Sequence, residues 1–429
     1  EHCPARPYLA LGTFWARPFG APAAKADAEL SLPDKPSIAV LPFTNMSGYP
    51  EQEFFADGMA EDIITGLSRF GSLLVIARNS TFSFKGQSID VKQVAETLGV
   101  RYVLEGSIRK GGDRIRVTAQ LIDADSGNHI WADRFDREVA DIFAVQDEVT
   151  GAIIAAIAPE IDQFEIERSR RKLPMELDAW DLYQKGLAAY HRSVSADFVS
   201  SIDTFDQATQ LDPGFALAWA MAALARTQYV LNGQPENRDE LIREAKKKVQ
   251  MALRLSPRDP LCVLADGTVH SHYREHQIGI AKLQDAIKLN PNLALAYLLL
   301  GQARDAAGQY EETIAATDEF VRLSPRDVEI CKVLTMRAYS LFHLHRYAEA
   351  AEMAYRAMHA PNPTVWAFVS YSICLFYLDR KKDAKLALDE VYSKIPDFSQ
   401  AHVLQALQHH DPGHVHREIE ALRELGVPE

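Results

Sequence analysis

Apolar positions change their period twice along this chain. Residues 1–35 show no period at all; they are rich in Pro and Ala, with Pro4, Pro7, Pro18, Pro22 and Pro33, and read as a linker. The run from Ile38 to Phe43 has the continuous apolar character of a buried strand. Phe55, Met59, Ile63 and Leu67 then recur every fourth residue, which predicts a helix over about 54–69. Leu73 to Ile76 is a second strand, and Val91, Val94, Ala95 and Leu98 form a short helix opened by Asp90 and stopped by Gly99. Beyond Tyr102 the period becomes two: Ile115, Val117, Ala119 and Leu121 alternate with polar neighbours between turns at 111–113 and 125–128. A last stripe of Ile142, Val145, Val149, Ile153 and Ile157 predicts a helix over about 141–158. The order is β-α-β-α-β-β-β-α, an α+β N-terminal domain over 36–160.

After a linker helix at 161–176, the strand signals stop and a longer period begins. Pro257, Pro291 and Pro325 are separated by two steps of 34 residues. Ala208, Ala252 and Ala286 each lie five residues before a proline, and Phe205, Val249 and Leu283 eight before. Small residues let two helices approach, bulky ones fill the space between pairs, and Pro ends the second helix. That combination is the tetratricopeptide signature, so 177–429 is expected to be an all-α tetratricopeptide-repeat superhelix of about six repeats with a C-terminal capping helix.

First helices of such repeats line the inner wall of the superhelix. The frame places Leu217, Ala220 and Leu224 there in one repeat, Leu261, Leu264 and Thr268 in the next, and Leu295, Leu298 and Gln302 in a third. The wall is mostly apolar, and a hydrophobic peptide segment or another helix suits it better than an acidic tail. The competing reading is that these side chains only pack the array.

Charge and motifs narrow the chemistry further. A formal net charge of −13 disfavours nucleic acid as a partner, and the short run Arg168, Arg170, Arg171 and Lys172 does not reverse that balance. The cysteines, Cys3, Cys262, Cys331 and Cys374, form no CxxC pair, and no metal or cofactor is expected. His272 and His276 share a helix face without a third ligand in register, and His409, His410, His414 and His416 cluster about an Asp-Pro-Gly turn. Glu61 and Asp62 are adjacent on a helix and do not face each other, which disqualifies them as an acid/base pair. No phosphate loop, dinucleotide fingerprint or hydrolase elbow is present. Arg78, Ser80, Glu105 and Arg109 are polar residues beside apolar runs: a possible ligand surface, or, for Glu105 and Arg109, a pair along or across a strand. No stretch approaches the ~18 apolar residues that span a bilayer. The chain begins at Glu1 rather than Met, which predicts a processed or truncated product.

The stretches Pro36–Phe43, Phe55–Met59, Glu61–Ile64, Ala77–Ser80, Lys85–Gly86, Tyr102–Ile108 and Trp131–Arg134 together resemble a bacterial TolB-like amino-terminal domain. Followed by tetratricopeptide repeats, this looks like the C-terminal region of bacterial class III adenylate cyclases, or of winged-helix regulators with a similar tail. The resemblance implies a non-catalytic sensory or scaffolding module, because the cyclase domain of that family lies upstream and is not in this chain. Its partner would be a protein or peptide, and membrane association would come only through an upstream segment. The alternative it implies is an envelope-associated periplasmic assembly factor, which leaves the cytoplasmic and periplasmic faces of the inner membrane both open.

Overall fold

The computed structural model describes residues 35–429 apart from 49–51, 88–89, 139–140, 173–176, 193–194, 234, 325–326, 328, 361–362 and 408–414. The linker at 1–34, Cys3, Pro325, His409, His410 and His414 lie outside the described residues.

The first half is built on one mixed sheet. Strand β1 (Ser37–Val40) is followed by the two-residue β2 (Thr44–Asn45), helix α1 (Glu53–Leu67), β3 (Leu74–Val75), and helices α2 (Arg78–Phe82) and α3 (Val91–Leu98). Three long strands follow, β4 (Tyr102–Gly111), β5 (Arg114–Asp123) and β6 (His129–Glu138), and then helix α4 (Ile142–Arg171). The strand order is β3-β1-β4-β5-β6, with β2 paired to β4. Strand β1 is parallel to both its neighbours, whereas β4, β5 and β6 form an antiparallel ribbon. The stripes predicted for α1 and α4 bury on one face of this sheet with Ile38, Val40, Leu104 and Val117. Helix α3 covers part of the other face through Val94 and Ala95, its N-terminus capped as expected by Asp90, which accepts from Lys92 N at 2.9 Å, and its C-terminus by left-handed Gly99.

Helix α4 does not stop near 158. It passes through Pro159 to Arg171 and spans the 160/161 boundary drawn from the sequence. Its Ala-rich middle lifts an 18-residue window to a mean hydropathy of 1.4, so among the described residues one helix is long and apolar enough to cross a membrane by length and composition, contrary to the sequence expectation. The bulky residues of that window face the sheet: Val149, Ile153 and Ile157 are fully buried in the domain core.

The second half stacks helical hairpins: α5 (Ala179–Arg192) with α6 (Ser195–Leu211), α7 (Ala216–Gly233) with α8 (Arg238–Leu255), α9 (Pro260–His272) with α10 (His276–Leu289), α11 (Ala294–Ala306) with α12 (Tyr310–Leu323), α13 (Ile330–His343) with α14 (Tyr347–Met358), and α15 (Val365–Tyr377) with α16 (Lys381–Lys394). Helices α17 (Gln400–Ala406) and α18 (His416–Leu425) close the chain. This is the tetratricopeptide arrangement. Its small residues act as the period implies: a Cβ on Gly267 of α9 would lie 2.9 Å from the Gly279 carbonyl oxygen of α10. The turn inside each of the four hairpins from α9 to α16 enters the left-handed region, at Arg274, Gly308, His345 and Asp379.

The sheet and the repeats are packed together rather than merely tethered. Glu165 of α4, with a side chain 3% exposed, accepts from Tyr102 Oη on β4 at 2.5 Å and from Trp180 Nε1 on α5 at 3.1 Å. Close approaches at Gly71 to Asp259, and at Gly66 and Gly151 to Asn292, place the end of α1 and the middle of α4 against the turns that precede α9 and α11.

Candidate functional sites: a repeat groove and a sheet crevice

The first helices of the repeats line a cavity of about 230 Å³. Its lining repeats with the chain. Thr268, Gln302, Met336 and Ser370 line it at successive steps of 34 residues, one from each of α9, α11, α13 and α15. Leu298, Lys332 and Trp366 form a second column at the same step. Asp305, Tyr339, Ile373 and Leu407 form a third, reaching the end of α17.

The wall residues read from the sequence divide between this cavity and the interior. Thr268, Leu298 and Gln302 line the cavity. Leu217, Ala220, Leu224 and Leu264 are buried in the array's core, at 4% exposure or less, and Leu261 and Leu295 pack against that core half-buried. The cavity is therefore displaced toward α13, α15 and α17. Met336, Trp366, Ile373 and Val403 are among its apolar members there, none of them singled out in the sequence, although carrying the 34-residue step forward from Thr268 and Gln302 reaches Met336 and Ser370 directly.

Polar groups close one side of the groove. Asp305 is buried and accepts from Ser340 Oγ at 3.1 Å. Burial pushes its carboxyl up to about 8, against the Ser340 hydrogen bond and with the help of nearby Glu418, so it is mainly protonated at neutral pH. Glu418 itself comes from α18 and meets His343 Nε2 at 2.7 Å, both side chains 3% exposed. Arg417 lies over the Phe342 ring at 4.9 Å. The capping helix is thereby tied back to the end of α13.

The α+β domain carries a second hollow, a crevice of about 810 Å³ outside the carboxyl end of β1. Strand β1 is the point where the chain order reverses: α1 leads to β3 on one side, and α3 leads to β4 on the other. Ligands of open α/β sheets sit at such switch points. Phe43, Phe84 and Val94 give this crevice apolar walls, while Glu105, Ser107 and Gln120 contribute polar groups. Lys85 stands at its edge and holds Glu53 at 2.7 Å and Asp57 at 2.6 Å. Gly106 is needed here, since a Cβ would meet the Phe43 ring at 2.6 Å.

The four polar residues marked in this domain are not brought together. Arg78 pairs with Glu61 at 3.1 Å and lies over Phe82, and Ser80 is exposed on α2. Glu105 lines the crevice and accepts from Gln120 Nε2. Arg109 stands opposite Arg116 across the β4–β5 pair. Among the other side chains weighed in the sequence, Asp62 accepts from Gln146 of α4. His272 turns Nδ1 to the Thr268 carbonyl at 3.0 Å, and burial lowers its pKa to about 4. Among the described residues no three His, Cys, Asp or Glu side chains gather as a metal site. Cys262, Cys331 and Cys374 are free and buried.

Known proteins resemble separate parts of this chain. Residues 34–151 match the family model of the HilA/YgeH-like transcriptional regulator, second domain. A protein of Rhizobium meliloti (strain 1021) named "Putative adenylate cyclase 3" is 46% identical over 206 residues, which is 48% of this chain and 35% of that protein. The chain thus spans about a third of the length of that relative. Among solved structures, a tetratricopeptide protein from Thermus thermophilus aligns with TM-score 0.38 and 15% identity over 46% of this chain and 98% of its own. PilF of Pseudomonas aeruginosa aligns with TM-score 0.37 and 15% identity over 50% and 90%. TolB of Acinetobacter baumannii aligns with TM-score 0.23 and 18% identity over 30% and 29%.

Proposed function

We propose that this chain is a non-catalytic interaction and sensory module of a bacterial signalling protein, of the kind attached to adenylate cyclases, and that it holds a protein or peptide segment in the repeat groove. The observation that carries the reading is the columnar lining. Side chains 34 residues apart converge on one apolar cavity, and Met336, Trp366, Ile373 and Val403 offer an incoming segment apolar contact along several repeats. The relative named as a cyclase supports the signalling context. In this reading 36–160 is the α+β domain, 161–176 the linking part of α4 and its continuation, and 177–429 the repeat array.

The test uses the full chain as bait in a bacterial lysate, followed by titration of each captured protein in purified form. Met336→Glu and Ser370→Glu place charge in one column of the groove. A partner whose Kd rises tenfold or more in both variants, with the circular dichroism spectrum unchanged, fits the groove. A partner bound equally by wild type and both variants moves the interaction surface elsewhere.

A further inference from the structure

We propose that the crevice at the carboxyl end of β1 binds a primary alkylammonium group. This goes beyond the reading of the repeat groove and concerns a different domain.

The charge of the crevice selects the ligand. Its lining carboxylates are Glu53 and Glu105, and its lining cation is Lys85, which Glu53 and Asp57 already share. Glu53 stands in the first turn of α1, where a doubly wound nucleotide site would hold a phosphate; a carboxylate there repels anions. Glu105 is half-buried, and its polar partner is the neutral Gln120 amide; among the described residues no cation pairs with it. A carboxylate withdrawn from water gains most from a cation that also donates hydrogen bonds. Ser107 and Thr118, opposite each other in the β4–β5 register, add hydroxyl acceptors near it.

The rest of the crevice suits the aliphatic part of such a ligand. Phe43, Phe84 and Val94 give it apolar walls, and the face of an aromatic ring also attracts an ammonium. A compact ammonium on an alkyl stem satisfies both demands, whereas a metal ion would leave the apolar walls without contact.

The experiment is calorimetric titration of the full chain with butylamine, putrescine, Nα-acetyl-lysine amide, butanol and inorganic phosphate. The expected result is saturable binding of the three amines, weaker or absent binding of butanol and phosphate, and at least a tenfold loss of amine affinity in Glu105→Gln. That variant keeps an oxygen to accept from Gln120, and Glu138→Gln, which alters an exposed carboxylate on β6, leaves binding as in wild type. Tighter binding of the blocked lysine than of butylamine assigns the site to a partner's lysine side chain, and tighter binding of putrescine assigns it to a free amine. Equal binding of butanol and butylamine, preference for phosphate, undiminished binding in Glu105→Gln, or no amine binding up to tens of millimolar overturns the proposal.

Discussion

The indole of Trp180 donates to the carboxylate of Glu165 at 3.1 Å across the junction between the long helix and the first repeat. Trp180 is itself stacked on Tyr183 and Phe215, so the bond fixes α4 to the aromatic centre of the repeat's core. Tyr102 and Arg101 reach the same carboxylate from the sheet, and burial beside that charge keeps the Tyr102 hydroxyl protonated as a donor. One side chain therefore joins three elements. Removing it takes a buried counter-charge away from Arg101, a loss of about 3–5 kcal/mol. Glu165→Ala is expected to lower the urea midpoint and to split unfolding into two transitions, followed separately by Trp fluorescence and far-ultraviolet circular dichroism. A single transition of unchanged midpoint would show that the two halves do not depend on this contact.

Asp305 sets a pH dependence of opposite sign to that of an ordinary salt-bridged carboxylate. Its folded pKa, pushed up to about 8, lies above the unfolded value, so between the two the folded state binds the extra proton. Stability then falls as pH rises toward 8, with a slope of up to about 1.4 kcal/mol per pH unit. His272 acts in a separate window: its pKa, lowered to about 4, makes stability fall as pH drops below 6.5. Urea titrations at pH 6.5, 7.25 and 8 lie above the His272 window; Asp162, which burial also pushes up to about 7, adds a slope of the same sign there. Asp305→Asn, which still accepts from Ser340, should reduce the slope in this range and leave the part that Asp162 contributes; an unchanged slope would assign all of it to other groups.

The hairpin turns give a prediction of gain rather than loss. Arg274 and Asp379 adopt φ of 62° and 60° at equivalent turns, where Gly308 stands in another repeat. A side chain in the left-handed region costs roughly 1–2 kcal/mol, part of which glycine returns to the unfolded chain as entropy. Arg274→Gly and Asp379→Gly are each expected to stabilise by about 0.5–1 kcal/mol in thermal or urea unfolding. A loss of stability would mean that the turn side chains contribute more than their strain.

Much of this architecture was legible because its signals are local. The stripe Phe55, Met59, Ile63, Leu67 and the alternation about Val117 reappear as buried faces, and the 34-residue step reappears as stacked hairpins. The continuity of α4 was not legible: Pro159 ordinarily interrupts a helix, so the sequence reads as one helix to about 158 and a separate linker helix from 161, whereas contacts of Glu165 and Ile166 with other elements hold the two as one. Glu165 could not be picked out either: its partners lie 63 and 15 residues away, and no period connects them. The wall residues Leu217 to Leu264 follow from the 34-residue frame, which marks the first helix of each repeat but not its rotation. Whether a first-helix residue faces the groove or the neighbouring helix depends on rotation about the axis, which packing decides. The turns at Gly308 and His345 lie 37 residues apart rather than 34, so the repeat register shifts by three residues between α11 and α13.

Two glycines separate stability from binding at the groove. A Cβ on Gly267 would meet the Gly279 carbonyl oxygen and Leu283 Cγ at 2.9 Å, so backbone and a core branch would both have to move. Gly267→Ala is expected to cost about 1–3 kcal/mol, as overpacked cores do. Gly301 is different. Its nearest obstacle is Met336 Cε at 2.8 Å, the end of a flexible side chain that also lines the cavity. Gly301→Ala should therefore leave stability within about 1 kcal/mol of wild type, helped by the better helix propensity of alanine. The displaced Met336 tip should instead alter the groove and change the affinity for a groove ligand. Paired measurements of urea midpoint and partner Kd on both variants decide the point. A large stability loss in Gly301→Ala, or none in Gly267→Ala, would show that the α9–α10 contact is not the tighter of the two.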